Sequence, residues 1–351
     1  APLPISDGLL PGYFRVAARI SYEKRGLRPE VLWFDLPEAH RRDVSDAANG
    51  WLIALLPLAF RMGESLRLDA PVDPTLVRNA SEILRIWSTW DPLLKPIPIE
   101  TCGEPEAANP GVGTTGLFFS GGVDSFFSVL HWDAVTCAHG AAGVSPVDDL
   151  IFVWGYDIPL NHRQAFARKR ETLAKVAQEL GKHLIPMITN LRETRLGTLA
   201  WGTVLHGAAL GAAGLILDLR FSRLLISSAF QRTILDPWGS HPHVDPLMST
   251  RWTEFIYYGD GFDRFEKTAF IVRSDVALRH LHVCWGAGSN DNCGRCEKCY
   301  RTLLSLELLG VRDQAASFPR DRFSLEHVPS IRVGSAVAMK LLAEVRDRAV
   351  Q

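Results

Sequence analysis

From Thr114 onward the chain alternates short apolar runs with helix-length segments, and this alternation narrows the possible folds more than any other feature. Residues 117–119, 150–154, 183–188 and 223–228 read as strands, and residues 126–132, 163–180 and 200–217 read as helices between them. Gly181-Lys182 supplies a stop for the second helix. Strands separated by helices of this size are joined by crossovers, which lay them parallel in one sheet with helices on both faces. The expected class is α/β.

The first 110 residues carry a different pattern. Residues 13–20 and 31–34 are apolar and β-branched, residues 51–60 form an apolar stretch, and residues 76–90 are periodic in the manner of a helix. Residues 92–113 contain Pro92, Pro96, Pro98, Pro105 and Pro110, and this tract reads as a linker. Three regions are therefore expected: an α+β domain over 1–110, a nucleotide-binding α/β domain over 111–282, and a small cysteine-rich and helical subdomain over 283–351. A formal net charge of −1 gives no general attraction to nucleic acid or to an acidic membrane. No apolar run reaches the roughly 18–20 residues that span a bilayer, and the first residues lack the pattern of a secretory signal. A cytoplasmic protein is expected, with a homodimer allowed.

Between the strand at 117–119 and the helix after it lies Ser120-Gly121-Gly122-Val123-Asp124-Ser125. Two glycines let backbone amides approach an anion closely, and the helix that follows presents its positive end. A carboxylate such as Asp124 beside a phosphate is unfavourable unless it ligates a cation, so Mg²⁺ is expected there. Asp124 and Ser125 are the expected catalytic residues. Neither GxxxxGK[ST] nor GxGxxG occurs at this position. The second concentration of chemistry is Cys284, Cys293, Cys296 and Cys299, with Gly294 in the turn. Four thiolates complete a tetrahedral shell for a structural Zn²⁺ and leave no open position for water; an iron–sulfur cluster is the chemical alternative.

The hexapeptide after an apolar strand resembles the PP-loop of the ATP pyrophosphatase superfamily, which has an adenine nucleotide α-hydrolase-like, Rossmann-like fold. With the cysteine spacing downstream, residues 114–309 resemble its 7-cyano-7-deazaguanine synthase (QueC) branch. Tyr156 and His162 ahead of Glu171, and Glu266-Lys267-Thr268, are weaker echoes of that branch. The resemblance implies an ATP-dependent, AMP-forming ligase that adenylates a carboxylate for attack by ammonia or an amine, with ATP, Mg²⁺ and Zn²⁺ as cofactors. About 110 residues precede the loop here, and the branch's Asp-Cys-Arg pattern is absent. The carboxylate is accordingly left as a deazapurine, another small molecule or a partner protein, the last because similar proteins with extra domains occur in antiviral defence operons. Two alternatives stand beside this: a tRNA-modifying PP-loop enzyme, and a non-catalytic nucleotide-binding component of a defence complex.

Ligands in open α/β sheets collect beyond the carboxyl ends of the strands. The loops after Trp154, Asn190 and Ser228 are therefore expected to complete the pocket, with Ser228, Arg232, His241, His243 and Lys267 as substrate contacts. Arg232 suits a carboxylate or phosphate through a two-pronged contact.

Overall fold

The chain enters its sheet through β1 (Pro2–Asp7), β2 (Tyr13–Ile20) and β3 (Glu30–Pro37), and leaves it for helices α1 (Asn49–Met62) and α2 (Pro74–Trp90). Short strands β4 (Leu66–Leu68) and β5 (Ile99–Thr101) pair beside these helices. Strand and helix then alternate through β6 (Thr115–Phe118), α3 (Val123–His139), β7 (Asp149–Trp154), α4 (Arg163–Glu179), β8 (His183–Thr189), α5 (His206–Ile216), β9 (Arg223–Ser227) and β10 (Glu254–Tyr258). Helices α6 (Arg264–Ile271), α7 (Asp275–His280), α8 (Glu297–Leu308) and α9 (Ala336–Val350) follow. This is a computed structural model, and it describes residues 2–105, 113–140, 144–284, 291–334 and 336–350. Part of the expected linker, with Pro110, lies outside them.

Among the described residues eight strands form one sheet in the order β1-β2-β3-β8-β7-β6-β9-β10. The run β8-β7-β6-β9-β10 is parallel, and β1, β2 and β3 continue it antiparallel from β8. The sheet is thus mixed and mostly parallel. The first 110 residues, expected as a domain of their own, extend this sheet and share its core. Phe34 pairs with Thr189 and Asp35 with Ile188, and the Asn190 side chain accepts from Trp33 N at 2.9 Å and donates to Val31 O at 2.8 Å. The physical reason is that β8 would otherwise be an open edge with unpaired backbone groups.

The strands alternate their side chains with period two. Ile151 and Val153 of β7 face one core with Phe34, Ile185 and Leu224, while Leu150, Phe152 and Trp154 face the other with Leu117 and Leu225. Helices α1, α2 and α5 cover the first face, and α3, α4, α7 and α8 cover the second. Leu52, Ile53 and Leu56 of α1 are fully buried, each worth about 1.5–3 kcal/mol. Gly50 is required by the α1–α5 packing, because a Cβ there would lie 2.9 Å from Ala212 O. The segment expected as one helix over 200–217 begins as a π-helical turn, Trp201–Leu205, before α5. β1, β10, α6 and α7 were not anticipated from the sequence.

Numbered along the parallel run, β6 to β10 lie in the order 3-2-1-4-5. The β6-α3-β7-α4-β8 connections cover one face and the β8-α5-β9 connection the other, so the strand order reverses between β6 and β9. The carboxyl ends of those two strands flank the crevice where ligands collect in open sheets. Among the described residues no helix is long and apolar enough to cross a membrane.

Candidate functional site

The glycine loop leaves the carboxyl end of β6 and opens α3. Gly121 takes φ +76°, a conformation that favours glycine, and a Cβ on it would lie 3.2 Å from Leu173 Cδ2 and 3.4 Å from Lys169 Nζ. Gly122 is the N-cap of α3 and provides no side-chain cap, so the positive end of a 17-residue helix is presented at the loop. Val123 is buried in the core and anchors the turn. Ser120 is exposed. Ser125, expected to be catalytic, turns back instead: its hydroxyl donates to Gly122 O at 3.1 Å and braces the loop.

Asp124 faces cations. Its Oδ2 lies 2.9 Å from Arg264 and its Oδ1 3.4 Å from Lys267 Nζ. Lys267 comes from α6, whose start is fixed by a capping box of Asp263 and Glu266, and which turns Lys267, Thr268 and Ile271 inward. Its ammonium also donates to Ser228 O at 2.6 Å and Ser228 Oγ at 2.8 Å. Burial lowers the Lys267 pKa, against the opposing charge of Asp124.

On the other side of the loop stands Lys169. It is 6% exposed and lies in the apolar stripe of α4 with Phe166, Leu173 and Val176. It makes no hydrogen bond or ion pair with any described residue. Burial pulls its pKa down to about 8, although Asp157 works in the other direction. His282 donates its backbone N–H to Gly121 O at 2.8 Å. Burial, then the charges of Lys169 and Lys298, push its imidazole down to about 3. Lys298 is lowered to about 7 by burial and by Arg264 and Arg301, and Arg301 to about 10 by burial and Arg264. Lys169, Arg264, Lys267, Lys298 and Arg301 thus gather at one helix N-terminus, largely out of water and within electrostatic reach of their neighbours. The Nε atoms of Arg264 and Arg301 and Nε2 of His282 are buried without a hydrogen-bond partner. Glu297 pairs with Arg301 at 2.6 Å, and Asp124 pairs with Arg264 and Lys267; like charges and orphaned donors out of water remain costly, and a polyvalent anion at the loop offsets both.

The loops beyond β7, β8 and β9 meet through aromatic rings. Tyr156 lies 5.2 Å from Trp201, His206 6.0 Å from Trp238, and Phe230 5.6 Å from Trp238, centroid to centroid. Ser228, at the root of the third loop, reaches the cation cluster through Lys267. Arg232 does not join it: its side chain is 71% exposed and pairs with Asp260. Nor do the two histidines, which no described contact ties to the glycine loop. His241 packs edge-on against Trp90 of α2 at 4.9 Å, and His243 against His241. Both Asp245 oxygens are occupied, accepting from Ser240 Oγ at 2.5 Å and His241 N at 3.0 Å. Burial raises its carboxyl to about 7. His241 Nδ1 accepts from His243 N at 3.1 Å, while His241 Nε2 is buried without a hydrogen-bond partner. Glu171 pairs with Lys175 on the outer face of α4.

The four cysteines converge, with their sulfurs all within 4.8 Å of one another. Cys293 and Cys299 are 3.8 Å apart, as are Cys296 and Cys284. One ion with metal–sulfur bonds of about 2.3 Å in a tetrahedron has sulfur–sulfur edges of about 3.8 Å, whereas in a four-iron cluster each cysteine binds a different iron and the sulfurs stand farther apart. The group can hold a metal ion such as zinc. Gly294, at φ +69°, makes the turn. The backbone N–H groups of Arg295 and Cys296 donate to Cys293 Sγ at 3.4 and 3.3 Å. A hydrogen bond from Cys299 holds the Cys296 thiol down to about 4, while the same contact pushes Cys299 up.

Sequence reasoning missed Lys169, Arg264, His282, Lys298 and Arg301. A signal existed for two of them: Lys169 interrupts the apolar stripe of its helix, and Lys298 sits between Cys296 and Cys299. No family model, no curated protein and no solved structure matches this chain.

Proposed function

We propose that the chain is an AMP-forming ligase of the PP-loop type, with an adenine nucleotide α-hydrolase-like fold, which activates a carboxylate for attack by ammonia or an amine. The observation that carries this reading is the convergence of buried cations on a glycine loop and helix N-terminus at the carboxyl end of the central strand. ATP supplies an adenylyl group to the carboxylate, pyrophosphate leaves, and the amine then displaces AMP. The loop amides and α3 hold the phosphate chain, and Lys169, Lys267, Lys298, Arg264 and Arg301 offset the charge that develops on the departing pyrophosphate. The rings of Tyr156, Trp201, Phe230 and Trp238 suit a planar group beside that site.

Magnesium, where it accompanies the triphosphate, adds Lewis-acid charge stabilisation. Asp124 fits a magnesium shell only after Arg264 and Lys267 yield its two oxygens. Zinc at the four cysteines fits the donor set and the spacing, and closes the subdomain without entering the chemistry.

The test is to incubate the protein with ATP, ammonia and a panel of carboxylated deazapurines, amino acids and candidate partner proteins, measuring AMP and pyrophosphate. AMP formation that depends on one carboxylate supports the reading; failure to bind ATP at all refutes it. One observation favours a second reading, a nucleotide-binding component without catalysis: Asp124 is held in an ion pair with Arg264 and Lys267. That reading expects ATP to bind and no pyrophosphate to be released.

A further inference from the structure

His206 is a titratable side chain of the crevice that holding the phosphate chain leaves unused. It opens α5, the crossover between β8 and β9, directly after the π-helical turn Trp201–Leu205. Such a turn is one residue wider than an α-helical one, and here its closing bond runs from His206 N–H to Trp201 O. The same carbonyl lies 3.2 Å from His206 Nδ1. A carbonyl oxygen only accepts, so Nδ1 carries the proton and Nε2 keeps its lone pair. The residue is half-buried. Nε2 makes no hydrogen bond with any described residue, and it is not sealed from solvent.

The ring is also held in place. It stands between Trp201 and Trp238, at 6.2 and 6.0 Å between centroids. Gly239 N donates to Gly202 O at 3.0 Å, which draws the loop after β9 onto the π-helical turn. The approach is so close that a Cβ on Gly239 would lie 2.6 Å from His206 Nδ1. Burial lowers the imidazole pKa, against the Trp201 carbonyl and the charge of Asp157, so the ring is neutral at pH 7. Asp157 acts on Lys169 and Lys298 as well. One carboxylate is therefore within electrostatic reach of both the imidazole and the phosphate side.

We propose that His206 is the general base of the amide-forming half of the reaction, taking the proton of the attacking amine on Nε2. This assignment rests on the ligase reading and gives a residue to the step that reading leaves without one. The amine lone pair forms a C–N bond to the acyl carbon, and the nitrogen of the adduct becomes positively charged and acidic. Nε2 takes its proton. The C–O bond to the adenylyl phosphate breaks, AMP leaves with the electron pair, and the imidazolium passes the proton to water. A neutral imidazole with one nitrogen tied to a backbone carbonyl and the other free suits that task.

The experiment compares wild type, His206→Asn and His206→Ala in two assays, with the carboxylated deazapurines and amino acids as acids. Acid-dependent exchange of pyrophosphate into ATP reads adenylation alone. Amide formation is then measured with ammonium chloride and with hydroxylamine, a nucleophile that is unprotonated near neutral pH and needs less help from a base. Asparagine can keep an N–H toward Trp201 O but has no basic nitrogen, and melting curves show which variants are folded. His206→Asn should lower amide formation from ammonia at least about a hundredfold more than it lowers exchange, and hydroxylamine should recover part of the loss. Nitrogen NMR should find the His206 proton on Nδ1 at pH 7, the signal being assigned by its loss in either variant. Amide formation by His206→Asn at the wild-type rate, equal losses in the two assays, or a proton on Nε2 overturns the assignment and leaves the ligase standing. No exchange by wild type with any acid removes the ligase reading and the base with it.

Discussion

Replacing Lys169 by methionine should stabilise the protein near neutral pH while weakening its hold on phosphate, and the size of the gain follows from the burial of the ammonium. A lysine at about 8 in the folded protein against 10.5 in the free chain costs the fold about 3 kcal/mol at pH 7, at 1.36 kcal/mol per pH unit. Below pH 8 both states carry the proton and the cost is present in full. Between 8 and 10.5 the unfolded chain keeps a proton that the folded protein has given up, so stability rises with pH. Above 10.5 both states are neutral and the cost is gone. Asp157, which raises the pKa, and the neighbouring His282 are the titratable groups coupled to it. Methionine keeps the length of the side chain on the stripe between Phe166 and Leu173, so repacking subtracts less than about 1.5 kcal/mol. Denaturant unfolding of wild type and variant at pH 7 and pH 10 measures the difference. The variant should be more stable by about 2–3 kcal/mol at pH 7, with the gap closing toward pH 10. A variant that is less stable at pH 7, or a gap that does not change with pH, would refute the assignment of Lys169 as a charged, unpaired and buried group. Pyrophosphate at about a hundred times its dissociation constant should restore about 2.7 kcal/mol to the wild type.

Asp124→Ala should lower AMP release by at least about a hundredfold, as expected for loss of an electrostatic contributor, yet tighten pyrophosphate binding, because Arg264 and Lys267 lose their internal carboxylate; turnover and calorimetry read the two effects separately. Cys296→Ser should lower bound zinc by metal analysis and the unfolding free energy with it, by several kcal/mol out of the roughly 10–16 kcal/mol such sites contribute, seen as a lower melting temperature, and strong chelators should reproduce the loss in the wild type. Gly116→Ala should destabilise the sheet by about 1–3 kcal/mol through overpacking, since a Cβ there would lie 2.6 Å from Phe221 Cε1. Pyrophosphate affinity should fall as pH rises through 8, where the proton leaves Lys169, and binding above that pH should take up a proton, detectable as a buffer-dependent heat.

Strands β6 to β9 of the parallel run were legible because they are largely buried on both faces and each crossover is amphipathic or wholly apolar. The two motifs were legible for a different reason: a glycine pair and a cysteine quartet act through local backbone geometry, which spacing encodes directly. What spacing does not encode is which distant elements converge. β10 reads weakly because Glu254 is exposed and Ile256 and Tyr258 are only half-buried. The N-terminal hairpin reads as a separate unit because nothing in its own residues marks the edge of β8 as its partner. The cations of the site come from α4, α6 and α8, elements well apart along the chain, and only tertiary packing brings them to Gly121. The placement of His241 and His243 away from the glycine loop has the same origin. The sequence does not show that the His241 ring packs on Trp90 of α2 and the His243 ring on His241.

Gathering five cations around one loop raises the question of what keeps them there, since their mutual repulsion favours moving α8 away. The cysteine group answers it. Asn292 accepts from Val283 N at 2.8 Å and Cys284 N at 3.3 Å and donates to Leu281 O at 2.8 Å, tying the segment that carries His282 to the turn that begins at Cys293. Cys296 caps α8 and Cys299 lies one turn inside it, so a metal held by all four sulfurs would fix the start of the helix from which Lys298 and Arg301 project. The His282 N–H bonded to Gly121 O then sets this clamp directly against the glycine loop. Removing the metal is therefore expected to let these cations relax outward and to weaken the hold on a phosphate chain, beyond what Asp124 and Glu297 already offset; calorimetry with ATP before and after chelation checks it.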